Sequence, residues 1–113
     1  MNYMEKYKIQ ALPSVLKQIN DLVDILYNNN YFSEYNHAVE YVNDLINKIG
    51  LYLPISQAKI PLVYRPIYGK HTQYVTIHKN KNTSYFVFFL QRNKTYIITY
   101  IGNNHTDGQY LVP

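Results

Sequence analysis

The sequence predicts an α+β domain with the element order β-α-α-β-β-β, in which a helical hairpin packs on a small antiparallel sheet. Two apolar stripes at helical spacing in the first half predict the hairpin, and a nearly continuous apolar run at residues 84–91, with an alternating segment on each side, predicts the sheet. The chain has 113 residues, which is the length of one domain, so we treat residues 1–113 as a single unit.

The first half is predicted to contain a short strand and two helices. Residues 5–11 alternate between polar and apolar side chains, as in a strand, and Pro13 then suits the first turn of a helix over 13–28. The apolar stripe of this helix contains Val15, Ile19, Leu22 and Leu26. Ser33 is expected to cap a second helix, and Gly50 to end it in a left-handed conformation. The stripe of the second helix contains Ala38, Val42, Leu45 and Ile49.

The second half is predicted to form a long connection followed by three strands. Three prolines and one glycine make the connection between residues 50 and 73 irregular, with a short extended piece around 60–64. Strands are expected around residues 74–78, 84–91 and 95–101, joined by turns at 79–82 and 92–94. Because residues 84–91 are almost wholly apolar, the middle strand should lie at the centre of the sheet with both faces buried.

Composition excludes several classes of site. Without cysteine there can be no disulfide, thiolate metal site or cysteine nucleophile. The glycines do not form a phosphate-binding loop, and the four histidines lack the spacing of a zinc protease, so we expect no cofactor and no metal. The N-terminus lacks the apolar run of a signal peptide, and no segment is long and apolar enough to span a bilayer. We therefore expect a cytoplasmic protein.

Positive charge is concentrated in the predicted sheet. Residues 1–57 carry four lysines against six acidic residues, a net charge of −2, whereas residues 58–113 carry seven basic residues against Asp107, a net charge of +6. Such a field attracts RNA, DNA or an acidic protein. The candidate nucleic-acid-binding residues lie in loops and turns: Lys70, His71, Lys79, Lys81, Arg92 and Lys94. The alternative is that these are ordinary solvated turn residues, since turns favour lysine and asparagine.

His105 is the candidate for proton transfer. It follows the last predicted strand in the segment IGNNHTDG, where the glycines and asparagines indicate an exposed loop. A histidine there, close to Asp107, can act as a general acid or base because its pKa lies naturally near neutrality. The alternative is a surface histidine in a turn. No carboxylate is placed as an obvious general base.

Three segments together resemble the RelE/ParE superfamily of small bacterial toxins from type II toxin–antitoxin modules: YKIQAL, then SEYNHAVEYVNDLINKIGLYLP, then YIITYIGNNHTD. The resemblance covers nearly the whole chain. It implies one of two activities: RelE-like members are ribosome-dependent mRNA endoribonucleases that contact RNA through lysine and arginine on the sheet, whereas ParE-like members bind and poison DNA gyrase. His105 matches the position after the last strand that carries His or Tyr in the nucleases. Tyr85 and Phe86 occupy the region where those nucleases carry an arginine.

The resemblance therefore predicts a growth-inhibiting toxin, with metal-independent mRNA cleavage as the leading activity. In that activity His105 is the acid or base, Arg92, Lys79 or Lys81 stabilises the charge on phosphorus, and Tyr85 or His78 positions the substrate. The alternatives are a gyrase inhibitor without catalysis and a non-toxic adaptor of the same fold. The predicted partners are an acidic antitoxin, which could add a strand at the edge near Val75 or Ile9, and either the ribosome with its mRNA or DNA gyrase.

Overall fold

The computed structural model describes residues 7–55, 58–59 and 71–103 of the chain. Two helices pack on a mixed sheet, which confirms the predicted α+β class. The elements in chain order are β1 (Lys8–Ala11), α1 (Pro13–Asn28), α2 (Tyr35–Tyr52), β2 (Ala58–Lys59), β3 (Gln73–Asn80), β4 (Thr83–Arg92) and β5 (Thr95–Asn103).

The sheet has the strand order β1-β5-β4-β3-β2. Strands β3, β4 and β5 form the predicted antiparallel meander, with β4 at its centre. The prediction of a purely antiparallel sheet is wrong at one edge, because β1 pairs with β5 in parallel, from Lys8 opposite Thr95 to Ala11 opposite Ile98. Alternation of apolar residues indicates which face of a strand is buried, but it does not indicate which strand lies beside it or whether the two run parallel or antiparallel. At the other edge, β2 pairs with Gln73 and Tyr74, while the predicted extended piece at 60–64 lies outside the described residues.

Helix α1 covers the predicted residues, whereas both ends of α2 differ from the prediction. The residue before the first turn of α2 is Glu34 rather than Ser33, and no side chain caps that end. Gly50 does not end the helix, which continues to Tyr52. Leu53 follows and is fully buried in the core, so the packing of this last turn outweighs the low helix propensity of glycine, about 1 kcal/mol. Neither helix is long and apolar enough to cross a membrane.

The position of Gly50 makes a stabilising substitution available. Gly50 is exposed, and apart from the nearby backbone of its own helix a methyl group added there would meet no atom of the described residues within 4 Å. We expect Gly50→Ala to raise the free energy of unfolding by about 0.5–1 kcal/mol, because alanine loses less conformational entropy in a helix. Urea denaturation followed by circular dichroism measures the change. Unchanged or lower stability would contradict a helix that continues through residue 50.

The core lies on both faces of β4. On the helix-facing side, β4 contributes Tyr85, Val87 and Phe89, which pack with the buried residues of α1, α2 and the neighbouring strands. On the other side, Phe88 is 1% exposed, and its ring lies between those of Tyr74 and Tyr100, at centroid distances of 6.1 and 5.8 Å. The predicted burial of both faces of the middle strand is therefore confirmed.

A side chain of α1 continues the edge of the sheet where β1 ends. Beyond Ile98, the outer edge of β5 has no strand beside it in the described part of the chain. There the Gln18 amide donates from Nε2 to the carbonyl oxygen of Ile101, at 3.0 Å, and accepts at Oε1 from the N–H of Ile101, at 3.3 Å. The amide thus replaces one peptide group of a neighbouring strand and fixes α1 over β5.

Candidate nucleic-acid interface

Opposite charges occupy the two layers of the fold. The helical layer, residues 13–55, carries five acidic residues against Lys17 and Lys48, a net charge of −3. Strands β1, β3, β4 and β5 with their turns, residues 7–11 and 71–103, carry four lysines and one arginine and no acidic residue. The uneven charge along the sequence therefore becomes a polarity across the molecule, with the sheet as the positive side.

One end of the sheet gathers basic residues from distant parts of the chain. Arg92 and Lys8 are the pairing partners of Thr95 on either side, so all three share one face. With neighbouring strands about 4.8 Å apart, the backbones at Lys8 and Arg92 are about 10 Å apart. Lys94 lies in the turn between β4 and β5, and its carbonyl oxygen accepts from the N–H of Lys8 at 3.0 Å. We call Lys8, Arg92 and Lys94 the cationic sheet end.

The turn at the cationic sheet end is tight. Asn93 adopts a left-handed conformation with φ of 56°, which asparagine tolerates better than most residues. The Gln91 side chain donates from Nε2 to the carbonyl oxygen of Asn93 at 3.2 Å. Lys8 and Arg92 are exposed, and neither forms an ion pair within residues 7–55 and 71–103. Their charges are thus available to an anionic partner.

The predicted loop histidine lies at the same end. Because β3 runs antiparallel to β4, Gln73 lies opposite Phe89, and His71 precedes β3 at the Arg92 end. His71 is exposed. Lys70 lies outside the described residues.

Lys79 and Lys81 lie at the opposite end, where β3 turns into β4. The side chain of Lys79 is only 7% exposed, and its ammonium group forms an ion pair with Asp44 of α2. It also donates to the carbonyl oxygen of Tyr41 at 3.2 Å and lies 4.1 Å from the centre of the Tyr41 ring. Lys79 therefore holds α2 to the sheet and does not present its charge to solvent, whereas Lys81 is exposed in the turn.

Tyr85 lies near that second end, seven residues before Arg92. At about 3.3 Å per residue the two are about 23 Å apart along β4, and an odd separation puts them on opposite faces. Tyr85 is 5% exposed, and its hydroxyl lies 3.4 Å from that of Tyr41. Burial is the main cause that raises the pKa of Tyr85, and the Tyr41 hydroxyl adds to it. The phenol is therefore protonated at neutral pH and unsuited to act as a base.

The predicted catalytic site also includes two histidines, His105 and His78. His105 lies outside the described residues. His78 is exposed on β3, and its Nδ1 is 2.7 Å from the Ser84 hydroxyl oxygen. The described residues contain no group of side chains that could hold a metal ion. Of the proposed catalytic side chains, the structure does not bring Arg92 and Tyr85 together.

Two features of the site were missed by sequence reasoning. Lys8 belongs to the acidic half of the chain, and only the parallel pairing of β1 with β5 brings it beside Arg92. The pairing of Lys79 with Asp44 was also missed, because these residues are 35 positions apart and no local pattern connects them.

The chain has no match among known protein families or curated proteins.

Proposed function

We propose that this chain is the toxin of a type II toxin–antitoxin module, with a RelE/ParE-like fold and a cytoplasmic site of action. The cationic sheet end is the observation that carries the proposal. It joins residues from β1, from the end of β4 and from the β4–β5 turn on a sheet whose described strands carry no acidic residue, which suits phosphate binding. The helical hairpin on one face of the sheet and the β3–β5 meander support the proposal.

The leading activity is metal-independent cleavage of mRNA on the ribosome. Lys8, Arg92 and Lys94 bind the phosphates, and their charge stabilises the negative charge that develops as a 2′-hydroxyl attacks the adjacent phosphorus. A base takes the proton of that hydroxyl, and an acid returns a proton to the leaving 5′-oxygen. His105 is the candidate for one of these roles.

A second candidate is inhibition of DNA gyrase without catalysis. The distance of about 23 Å between Tyr85 and Arg92 favours it, because binding needs an exposed complementary surface but no catalytic group within reach of another. In both activities an acidic antitoxin neutralises the toxin by covering the cationic sheet end.

Induced expression in a bacterial host tests the assignment, with pulse labelling of protein and DNA synthesis in the same cultures. We expect the wild type to arrest translation, and Arg92→Glu and His105→Ala to relieve the arrest while remaining folded. Lys17→Glu, on the exposed surface of α1, is the matched control and should stay toxic. If DNA synthesis is arrested and the arrest persists in His105→Ala, the activity is gyrase inhibition and not mRNA cleavage. If the wild type arrests neither process, the protein is a non-toxic adaptor.

Binding to a single-stranded RNA oligonucleotide at several salt concentrations tests the surface directly. Each phosphate contact contributes about 0.7 to the slope of log affinity against log salt. Arg92→Gln and Lys8→Gln should each reduce the slope by about that amount, whereas Lys17→Gln should leave it unchanged. Equal slopes for all four proteins would refute the cationic sheet end as the RNA-binding surface.

A further inference from the structure

A pocket of about 410 Å³ lies on the helix-facing side of the sheet, at the end far from Arg92. It is bounded by the end of α1, by α2 and by the turn between β3 and β4. The bottom of the pocket is apolar and is formed by Leu22, Leu26 and Phe32, while phenol and amide groups line the walls. The walls include Tyr31, Tyr41, Tyr85, Asn29 and Asn80, and we call the site the tyrosine pocket. Its volume is within the range of small-molecule sites.

The phenol pair in this pocket has spare hydrogen-bonding capacity. The hydroxyl oxygens of Tyr41 and Tyr85 lie 3.4 Å apart, and either can be the donor. Each hydroxyl carries one proton, and their mutual contact uses only one of the two. Within the described part of the chain the second proton has no acceptor, although Tyr85 is 95% buried. A ligand acceptor in the pocket would complete this pair.

The two amides add further donors and acceptors. Asn80 accepts at Oδ1 from the N–H of Asn82 at 2.9 Å, which leaves its NH₂ group for a ligand. The amide of Asn29 forms no hydrogen bond with the described residues and can therefore both donate and accept. The ring of Tyr31 is 69% exposed at the mouth of the pocket and offers a face on which a flat ligand can stack.

The chemistry of the lining selects the class of ligand. None of the described residues that line the pocket is charged, so they offer no counter-charge to a phosphate or carboxylate. A purely apolar side chain from a partner would bury the phenol and amide groups without hydrogen bonds, which is unfavourable. A flat, uncharged ring with several donors and acceptors satisfies both conditions.

We propose that the tyrosine pocket binds a nucleobase, supplied either by a nucleoside or by an unpaired base of RNA. The site is separate from the cationic sheet end, since it lies on the other face and at the other end of β4. The proposal therefore holds or fails independently of the toxin assignment.

Calorimetric titration of the full chain with adenosine, guanosine, cytidine and uridine tests the proposal, with uncharged ribose as the sugar control. We expect at least one nucleoside to bind with a dissociation constant on the order of 1 mM or below, and ribose not to bind. Tyr85→Phe should weaken binding by about fivefold to tenfold, as expected for one lost hydrogen bond. Tyr31→Ala should also weaken it through loss of stacking. Tyr74→Phe, which removes a phenol from the opposite face, should bind as the wild type does.

A short single-stranded RNA containing the preferred base distinguishes the two sources. Tighter binding of the RNA than of the nucleoside, lost in Tyr85→Phe, assigns the site to an unpaired base, and equal affinity assigns it to a nucleoside. Circular dichroism must show that each variant is folded. The proposal is overturned if no nucleoside binds at 10 mM, about tenfold above the expected constant, if Tyr85→Phe and Tyr74→Phe bind alike, or if N-acetylphenylalanine amide binds better than every nucleoside.

Discussion

Phe89→Ala is expected to lower the free energy of unfolding by about 3–5 kcal/mol, the range for truncating a buried phenylalanine. Phe89 is fully buried at the centre of β4, on the side that packs against the helices, and its ring lies 5.7 Å from that of Tyr96. Domains of this size are stable by about 5–15 kcal/mol in total. The variant should therefore lose a large part of its stability.

Leu90→Ala is the matched control for this experiment. Leu90 is the next residue on β4, points to the other face and is 37% exposed, so its truncation should cost about 1 kcal/mol or less. Guanidinium denaturation followed by tyrosine fluorescence measures both variants. Equal losses at positions 89 and 90 would contradict the described burial of β4.

Lys79→Met is expected to lower the free energy of unfolding by about 1–2 kcal/mol. Methionine keeps much of the buried stem but removes the charge that contacts Asp44, the Tyr41 ring and the Tyr41 carbonyl oxygen. Lys17→Met is the control, because both side chains of the Lys17–Asp21 ion pair are exposed and such pairs contribute little to the free energy of unfolding. Comparable losses in the two variants, measured by urea denaturation, would show that Lys79 has no special role.

The same contact predicts a dependence of stability on pH. The hydrogen bond from Lys79 is the main cause that lowers the pKa of Asp44 below its ordinary value of 3.8, and burial partly opposes it. A carboxyl whose pKa is lower in the folded state stabilises the protein above its unfolded pKa and loses that contribution as the pH falls through the folded pKa. The difference in Tm between wild type and Asp44→Asn should therefore be constant near neutral pH and shrink below about pH 4. A difference that does not change between pH 7 and pH 3 would exclude this contact as its source.

Local periodicity predicted most of the fold, because the apolar stripes of α1 and α2 and the continuous apolar run of β4 are properties of neighbouring residues. The pairing of β1 with β5 is not local, and the alternation of Tyr7, Ile9 and Ala11 suits any edge of the sheet. The end of α2 depended on the burial of Leu53, which competes with the preference of Gly50 for helix ends.

The parts of the candidate site differ in how far the sequence could predict them. The distance between Tyr85 and Arg92 could have been predicted, since both fall in or beside one predicted strand whose rise and alternation are known. The environment of Lys79 could not, because a lysine in a predicted turn is usually solvated, and only the packing of α2 on β3 brings Asp44 to it. The position of Lys8 beside Arg92 depends on the pairing of β1 with β5, which local sequence patterns do not predict.

The parallel pairing of β1 with β5 also constrains how the chain reaches its native state. Residues 8–11 pair with residues 95–98, so during synthesis β1 cannot form this pairing until residues 95–98 have been made. Contacts between residues so far apart in sequence slow folding, because loop closure precedes the stabilisation they provide. The central hairpin of β3 and β4 can form from neighbouring residues alone. We therefore expect the β3–β5 meander to be protected from amide hydrogen exchange early in refolding, and β1 to be protected last.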